Sequence, residues 1–287
     1  NKGNLEFCIQ RCMEEVNMEK KRVRLTVAYD GTAYHGWQLQ NNGITIESEL
    51  NRCLTQLLGE SIQVIGASRT DAGVHALGNI AVFDTTARMP AEKMSYALNQ
   101  RLPEDIRIQR SEEVPSDWHP RYVESRKTYE YRIYRGTFPM PTRRLYTCFT
   151  YHKLDVEAMR TAAGYLVGEH DFKSFCQAGA QVDSTVRRIH SIELLEQGHE
   201  LVLRVCGGGF LYNMVRIIAG TLMEVGQGRR RPEDMEAVLA ACNRRAAGPT
   251  APAQGLTLVK YEFEDNISDA AFFGKKCKNH IDSGKNL

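Results

Sequence analysis

The sequence predicts an α+β protein built from two halves that repeat one order of strands and helices. Three observations support this prediction. Short apolar runs with strand-like alternation recur along the chain, apolar residues with helical spacing lie between them, and the order β-α-β-β-α-β occurs twice. The chain has 287 residues, of which 42% are hydrophobic and 25% charged, as is typical of a globular protein with a sizeable core.

The first half contains four predicted strands and two predicted helices. In order, they are a strand at 23–29, a helix at 46–58, strands at 62–66 and 79–84, a helix at 90–99 and a strand at 106–109. Thr45 is a good N-cap for the first helix and Gly59 a good C-terminal stop. Pro90 suits the first turn of the second helix.

The second half repeats this order and adds one helix. We predict a strand at 127–135, a helix from Asp155 to Gly168, strands at 186–194 and 201–206, helices at 211–226 and 232–242, and a closing strand at 256–263. This is the ferredoxin-like order of elements. Two such sheets side by side would enclose a central cleft.

Four segments follow from these elements. Residues 1–20 form a polar N-terminal extension, 21–114 the first α+β half, 115–264 the second α+β half, and 265–287 a polar, basic tail. Pro115 and Pro120 mark the connection between the halves.

Composition excludes several classes of protein. No apolar run approaches the roughly 18 residues that span a membrane, and the first residues lack the pattern of a secretory signal. We therefore expect a cytoplasmic location. The eight cysteines are scattered over the chain without the spacing of a disulfide framework or of paired zinc ligands, so reduced thiols are expected.

The net charge is only +2, but the basic residues are clustered. Clusters occur at 20–24, 126–127, 143–144, 187–188, 229–231, 244–245 and 275–278. Such patches could line a phosphate-binding face or could be ordinary solvated charge, and their distribution alone does not decide between these interpretations.

The segment from Ser68 to His75 is the first candidate for chemistry, because Arg69, Thr70 and Asp71 precede an apolar strand where turn residues would be usual. Its simplest interpretation is a turn. A metal site using Asp71 and His75 lacks a third ligand at recognisable spacing, and acyl transfer lacks a nucleophile elbow.

The third possibility is that Asp71 acts as a nucleophile or base. A carboxylate in a water-poor cleft needs a cation or hydrogen bonds to stay ionised. Arg69 and Arg216 are candidate partners, and Tyr129 could supply an aromatic face with a hydroxyl. Taken singly, Tyr129 could equally be a core residue and Arg216 a surface residue of its helix.

In combination, these residues carry a resemblance to a known family. The shared segments are Tyr29-Asp30-Gly31-Thr32, Gly36-Trp37-Gln38, Arg69-Thr70-Asp71-Ala72-Gly73-Val74-His75-Ala76, Leu102-Pro103, Lys127-Thr128-Tyr129 with Tyr131, Gly168-Glu169-His170-Asp171-Phe172, Gly209-Phe210-Leu211-Tyr212-Asn213-Met214-Val215-Arg216, and Thr250-Ala251-Pro252 with Leu256. With these segments in this order, the chain resembles the TruA family of tRNA pseudouridine synthases over about residues 22–262.

The resemblance implies the pseudouridine synthase fold and the isomerisation of uridine to pseudouridine at positions 38, 39 and 40 of the tRNA anticodon stem-loop. It implies no metal and no organic cofactor. It also implies a homodimer that binds one tRNA across both subunits. A non-catalytic tRNA-binding or chaperone module of the same fold is the alternative, and intact candidate catalytic residues argue against it.

The resemblance further assigns a role to each site residue. Asp71 would be the nucleophile, and Arg216 would pair with it. Tyr129 would stack on the target base and take part in proton transfer, Leu256 would pack against that base, and Arg69 would help hold the flipped nucleotide. One departure from the family pattern is the run of three glycines at 207–209, before Phe210.

Overall fold

The computed structural model describes residues 20–179 and 182–263. Its strands are β1 (Lys21–Tyr29), β2 (Ile65–Gly66), β3 (His75–Thr85), β4 (Ile106–Val114), β5 (Ser125–Arg135), β6 (Cys148–Thr150), β7 (Gly168–Asp171), β8 (Val186–Gln197), β9 (Glu200–Gly207) and β10 (Leu256–Phe263). Its helices are α1 (Ile46–Leu58), α2 (Ala91–Asn99), α3 (Val156–Gly164), α4 (Met214–Gly226) and α5 (Asp234–Ala240). The predicted extension and tail fall outside the described residues, apart from Lys20.

The strands of both halves join in one large, mostly antiparallel sheet rather than in two separate ones. Its order is β4-β1-β3-β10-β5-β9-β8-β7, with β2 paired to β3 and β6 paired to β5. The halves meet where β10 runs parallel to the start of β3, with Thr257 opposite His75 and Leu258 opposite Ala76. This pairing is available because β2 covers only the Ala81–Val82 part of the same edge of β3.

The local signals of α1 act as predicted. Thr45 accepts a hydrogen bond from the Ser48 backbone N–H, and the Ser48 hydroxyl accepts one from the Thr45 backbone N–H, so the two form a capping box. Gly59 ends the helix with φ at 71°, in the left-handed region that glycine adopts without strain. Ile46, Leu50, Cys53 and Leu54 form the buried face.

Other boundaries differ from the predicted ones because pairing between distant strands sets them. The predicted strand at 62–66 shortens to β2, whereas β3 begins four residues earlier than expected, at His75. β4 extends to Val114, since its residues pair with β1 along its length. The short strands β6 and β7 were not predicted, and α5 is shorter than the expected helix.

Helix α4 is a core helix, with ten of its thirteen residues buried. Such a helix is apolar on almost all sides because other elements cover it. Arg216 lies in its first turn and is one of the few residues of α4 that are not fully buried. The fold therefore holds a guanidinium at the end of a rigid, buried element.

Among the described helices, none has the length and apolar character needed to cross a membrane.

Candidate active site

Asp71 lies in the loop between β2 and β3, and buried polar groups fix this loop. The Asn79 side chain accepts a hydrogen bond from the Ser68 backbone N–H at 3.3 Å and donates one to the Ser68 carbonyl at 3.0 Å. The hydroxyls of Tyr29 and Thr70 lie 2.7 Å apart in a second hydrogen bond. Asn79 is fully buried, so its two contacts with Ser68 form away from water.

A second loop packs against the first and explains the Gly36-Trp37 segment of the sequence. The Trp37 backbone N–H donates to the Thr70 carbonyl at 3.0 Å. Gly36 has φ at 87°, and a Cβ added there would lie 2.6 Å from the Thr70 carbonyl oxygen. Glycine is therefore required at this position both by backbone conformation and by the close approach of the Asp71 loop.

Arg216 reaches the Asp71 carboxylate from α4. Its Nη1 lies 3.3 Å from Asp71 Oδ2, and both side chains are largely shielded, with 16% and 20% exposure. The guanidinium is itself held in place, since Nε donates to the Ala251 carbonyl and Nη1 to Asn213 Oδ1, each at 2.8 Å. The predicted pair of Asp71 and Arg216 thus forms a positioned contact between the two halves.

Two opposing effects set the pKa of Asp71. Burial raises the pKa of the carboxyl group, while the charge and hydrogen bond of Arg216 lower it. Burial is the larger effect, so the pKa of Asp71 lies above its ordinary value. Arg216 limits this rise in pKa, which is the effect that the sequence analysis expects of a cation beside a shielded carboxylate. A carboxylate with a raised pKa is also more basic and more nucleophilic than a solvated one.

Tyr129 and Leu256 are brought to the same cleft by neighbouring strands. Tyr129 lies on β5 opposite Leu258 of β10, two residues from Leu256. The Tyr129 ring meets Phe210 edge to face, with centroids 5.2 Å apart. Burial raises the pKa of Tyr129 well above its ordinary range, so the phenol is neutral at physiological pH.

These side chains border one cleft of about 740 Å³. Arg69, Asp71, Tyr129 and Leu256 all line it, together with Phe210. Arg69 is exposed at this surface, in contrast to the buried Tyr129 and Leu256. The cleft therefore combines a carboxylate, an apolar and aromatic wall, and an exposed cationic side chain, which suits an extruded planar base.

His75 faces away from Asp71. Its Nδ1 accepts a hydrogen bond from the Gly31 backbone N–H at 3.1 Å and lies 3.1 Å from Asp30 Oδ1. Its Nε2 lies 2.9 Å from the Leu145 carbonyl. Both ring nitrogens thus contact neighbouring segments, in line with a structural role. In the part of the chain that the structure describes, no group of three or more His, Cys, Asp or Glu side chains could hold a metal ion.

Reasoning from the sequence missed several residues of the site. Asn79 was counted as part of an apolar strand, although a lone amide in such a run is a signal for a buried hydrogen-bonding role. Asn213 and Ala251 were noted only as members of shared segments, and their contacts with Arg216 join residues distant in sequence. Lys127 also lines the cleft, and its position beside Arg121 could not be read from spacing.

Comparison with known proteins gives one consistent result. A family model described as tRNA pseudouridine synthase matches residues 25–123 and 162–264. Over 241 residues, the chain is 47% identical to a protein of Ruminiclostridium cellulolyticum named tRNA pseudouridine synthase A, covering 84% of this chain and 98% of that protein. The chain is also similar to two further proteins of this name. It is 46% identical to that of Acetivibrio thermocellus, covering 84% of this chain and 98% of that protein. It is 44% identical to that of Bacillus pumilus, covering 85% of this chain and all of that protein.

Proposed function

Since the chain belongs to the tRNA pseudouridine synthase family and is an isomerase that converts uridine to pseudouridine in tRNA, we propose that Asp71 is its nucleophile. We further propose that its targets lie at positions 38, 39 and 40 of the anticodon stem-loop. The observation that supports the first proposal best is the shielded Asp71 carboxylate, 3.3 Å from Arg216 in a cleft walled by Tyr129 and Leu256.

The reaction needs a nucleophile rather than an external reagent. The N1–C1′ bond of uridine breaks and a C5–C1′ bond forms, C5 loses a proton and N1 gains one. Substrate and product are isomers, so no oxidant, reductant or group donor is consumed. A carboxylate that attacks the nucleotide and later leaves is sufficient, provided that it is ionised when the substrate binds.

The target base must leave the RNA stack before Asp71 can reach it. Extruding a base costs a few kcal/mol, and contacts in the pocket offset this cost. Tyr129 offers an aromatic face next to Asp71, and Leu256 offers an apolar contact from the adjacent strand. Arg69 is exposed on the same surface, so its guanidinium can occupy the space that the base leaves.

Tyr129 is proposed to transfer protons during the isomerisation as well as to stack on the base. Its raised pKa keeps the proton on the phenol at neutral pH. A neutral phenol can donate a hydrogen bond to a developing charge and can exchange its proton with the sugar or base.

The assignment of Asp71 is tested with unmodified tRNA made by transcription. Wild type and Asp71→Ala are incubated with this tRNA, and pseudouridine is mapped by carbodiimide modification. We expect product at positions 38–40 with wild type, and a loss of at least about 10⁴-fold in rate with Asp71→Ala. The exposed Asp117 gives a matched control, and Asp117→Ala should keep wild-type activity.

Equal pseudouridine from wild type and Asp71→Ala would refute the nucleophile assignment. Product at other positions only would refute the proposed target site. Tight tRNA binding without any product from wild type would instead indicate the non-catalytic binding module.

Tyr129→Phe separates chemistry from binding. The variant keeps the aromatic face but loses the hydroxyl, so tRNA affinity should stay within a few-fold of wild type while single-turnover rate falls by about 10²-fold or more. Filter binding and rapid-quench assays on the same tRNA measure the two quantities. A large loss of affinity with an unchanged rate would show that the hydroxyl has a purely structural role.

We also propose that residues 21–114 and 115–264 are two ferredoxin-like halves. The strand orders β4-β1-β3-β2 and β10-β5-β9-β8 support this, because each is the order 4-1-3-2 when the strands of a β-α-β-β-α-β unit are counted in sequence. We further propose that the protein is a homodimer in the cytoplasm and that its two subunits together bind one tRNA. Light scattering at micromolar concentration tests the dimer.

A further inference from the structure

A second pocket of about 800 Å³ adjoins the active-site cleft. The two share part of their walls, since Arg121, Lys127 and Phe210 line both. Lys127 lies two residues before Tyr129 on β5. The second pocket is therefore the immediate continuation of the cleft beyond the proposed position of the target base.

The lining of this second pocket is strongly basic. Five cationic side chains line it, against one carboxylate, that of Glu124. The cations are Arg121, Arg126, Lys127, Arg187 and Arg188. Among the described residues, none of Arg121, Lys127 and Arg187 forms an ion pair with a carboxylate. The pocket thus concentrates positive charge without an internal counterion for these three groups.

Other contacts hold the three cations in place. Arg121 Nε donates to the Gly66 carbonyl at 2.9 Å. Arg187 Nη1 donates to the carbonyls of Ser184 and Val186 at 2.9 and 2.7 Å. The Lys127 ammonium lies 5.1 Å from the centre of the Tyr261 ring. Carbonyls and a ring face orient these side chains without forming an ion pair, and among the described carboxylates only the more distant one of Glu47 acts on the charge of Arg121. The arrangement therefore favours the binding of an external anion.

Burial, and after it repulsion from neighbouring cations, lowers the pKa of two of these groups. Burial lowers the pKa of Lys127 to about 8, and the charges of Arg121 and Arg187 add to this effect. Burial also lowers the pKa of Arg121, with a further contribution from Arg69. The cationic side chains therefore form a continuous series from the active-site cleft into the second pocket, in the order Arg69, Arg121, Lys127 and Arg187. An anion bound along this series would relieve the repulsion among them.

Two residues of the glycine run at 207–209, Gly208 and Gly209, line this pocket. The nearest atom to a Cβ added at Gly208 would be the Ser125 carbonyl oxygen at 3.9 Å, and at Gly209 the Arg187 side chain at 3.8 Å. Both are ordinary contact distances, and neither glycine has a positive φ. Local packing therefore does not require glycine at 208 or 209. Their effect is to leave bare backbone on the wall of a basic pocket.

We propose that the second pocket binds the phosphodiester group next to the target uridine, with Lys127 and Arg187 as phosphate-binding residues. This inference rests on the proposed function, because it places the RNA by the position of its extruded base. Extrusion twists the backbone on one side of the base, and a clamp on the adjacent phosphate would hold that geometry. RNA is bound largely through phosphates and shape, which fits a site without base-reading groups.

The test measures affinity for an anticodon stem-loop RNA by fluorescence anisotropy over a series of salt concentrations. Lys127→Met and Arg187→Met keep much of the apolar stem and remove the charge. Each should weaken binding by about tenfold and reduce the slope of log affinity against log salt by about 1. Arg52→Met is the matched control, because Arg52 is paired with Glu49 on α1 and lines neither pocket.

A second pair of variants does not depend on the stability of Lys127 substitutions. Gly208→Ala adds a methyl group where the nearest atom to a Cβ is 3.9 Å away, so it measures the effect of added volume without added charge. Gly208→Glu places a carboxylate among the cations and should weaken RNA binding by more than tenfold. Thermal unfolding of all variants confirms that they are folded.

A third experiment changes the RNA instead of the protein. A single methylphosphonate, which removes the charge of one phosphate, is placed 5′ or 3′ to the target uridine. One of these substitutions should weaken wild-type binding by about tenfold but have little further effect on Lys127→Met, because both changes remove the same contact.

The inference is overturned if both methionine variants keep the salt slope of Arg52→Met and neither methylphosphonate affects binding. Binding is measured without turnover. Absence of pseudouridine with wild type therefore refutes the proposed function alone.

Discussion

At the scale of single residues, the proposed role of Asp71 as nucleophile depends on its contact with Arg216. Burial in the cleft raises the pKa of Asp71, and Arg216 opposes that rise. Since the nucleophile must be ionised, activity should fall as the pH drops through the pKa of Asp71. The position of this acid limb therefore reports directly on the contact between the two side chains.

Arg216→Met tests this dependence. Removing the guanidinium removes both effects that lower the pKa of Asp71, so the acid limb of the pH–rate profile should move to higher pH. The rate at neutral pH should fall as well, because less of the carboxylate is ionised. Single-turnover rates between pH 5 and 9 measure the shift. An unchanged acid limb would mean that Arg216 does not control the protonation of Asp71.

The same scale shows the limit of reasoning from spacing. Asp71 stood out because Arg69, Thr70 and Asp71 precede an apolar strand, which is a local signal. Its partner Arg216 lies 145 residues away. Reasoning from the residues offers Arg216 only as one of two candidate cations beside Arg69, and the resemblance to a family selects it. Spacing does not reveal the role of Asn79 either, because its two contacts with Ser68 depend on how the loop folds back onto β3.

At the scale of elements, β3 does more than complete the sheet. It begins at His75 and presents Asn79 to the loop that carries Asp71. The amide holds both backbone groups of Ser68, three residues before Asp71. The loop is thereby fixed by a buried side chain of a rigid strand, which a catalytic group requires.

Asn79→Ala should reduce both stability and activity. The change leaves the N–H and carbonyl of Ser68 without these buried partners, which costs about 1–3 kcal/mol for each unsatisfied group. It also loosens the loop, so kcat should fall while tRNA affinity changes little. Thermal unfolding and single-turnover kinetics measure the two effects. A variant that loses stability but keeps the wild-type kcat would show that Asn79 does not position Asp71.

Elements with strong local signals were predictable, and those set by distant pairing were not. Helix α1 has Thr45 and Gly59 at its two ends and a buried stripe along its length, and all three signals can be read within the helix segment itself. By contrast, the length of β4 depends on its pairing with β1, and the two residues of β2 depend on β3. Short strands such as β6 carry too few residues for alternation to identify them.

At the scale of the whole molecule, the pairing of β3 with β10 makes one sheet from both halves. No spacing in the sequence indicates this pairing, because it joins residues about 180 positions apart in a parallel register of two pairs. It predicts that the chain unfolds as a single cooperative unit. Calorimetric and van't Hoff enthalpies should agree, whereas two resolved transitions would contradict this prediction.

The place of β10 in the sheet also has a consequence for biosynthesis. β10 is the last described strand to leave the ribosome, yet it lies at the centre of the sheet and carries Leu256 into the cleft. Until it emerges, β3 and β5 lack the strand between them. A nascent chain that lacks β10 therefore has Asp71, Tyr129 and Arg216 but not Leu256, so the cleft is completed only after β10 has been synthesised.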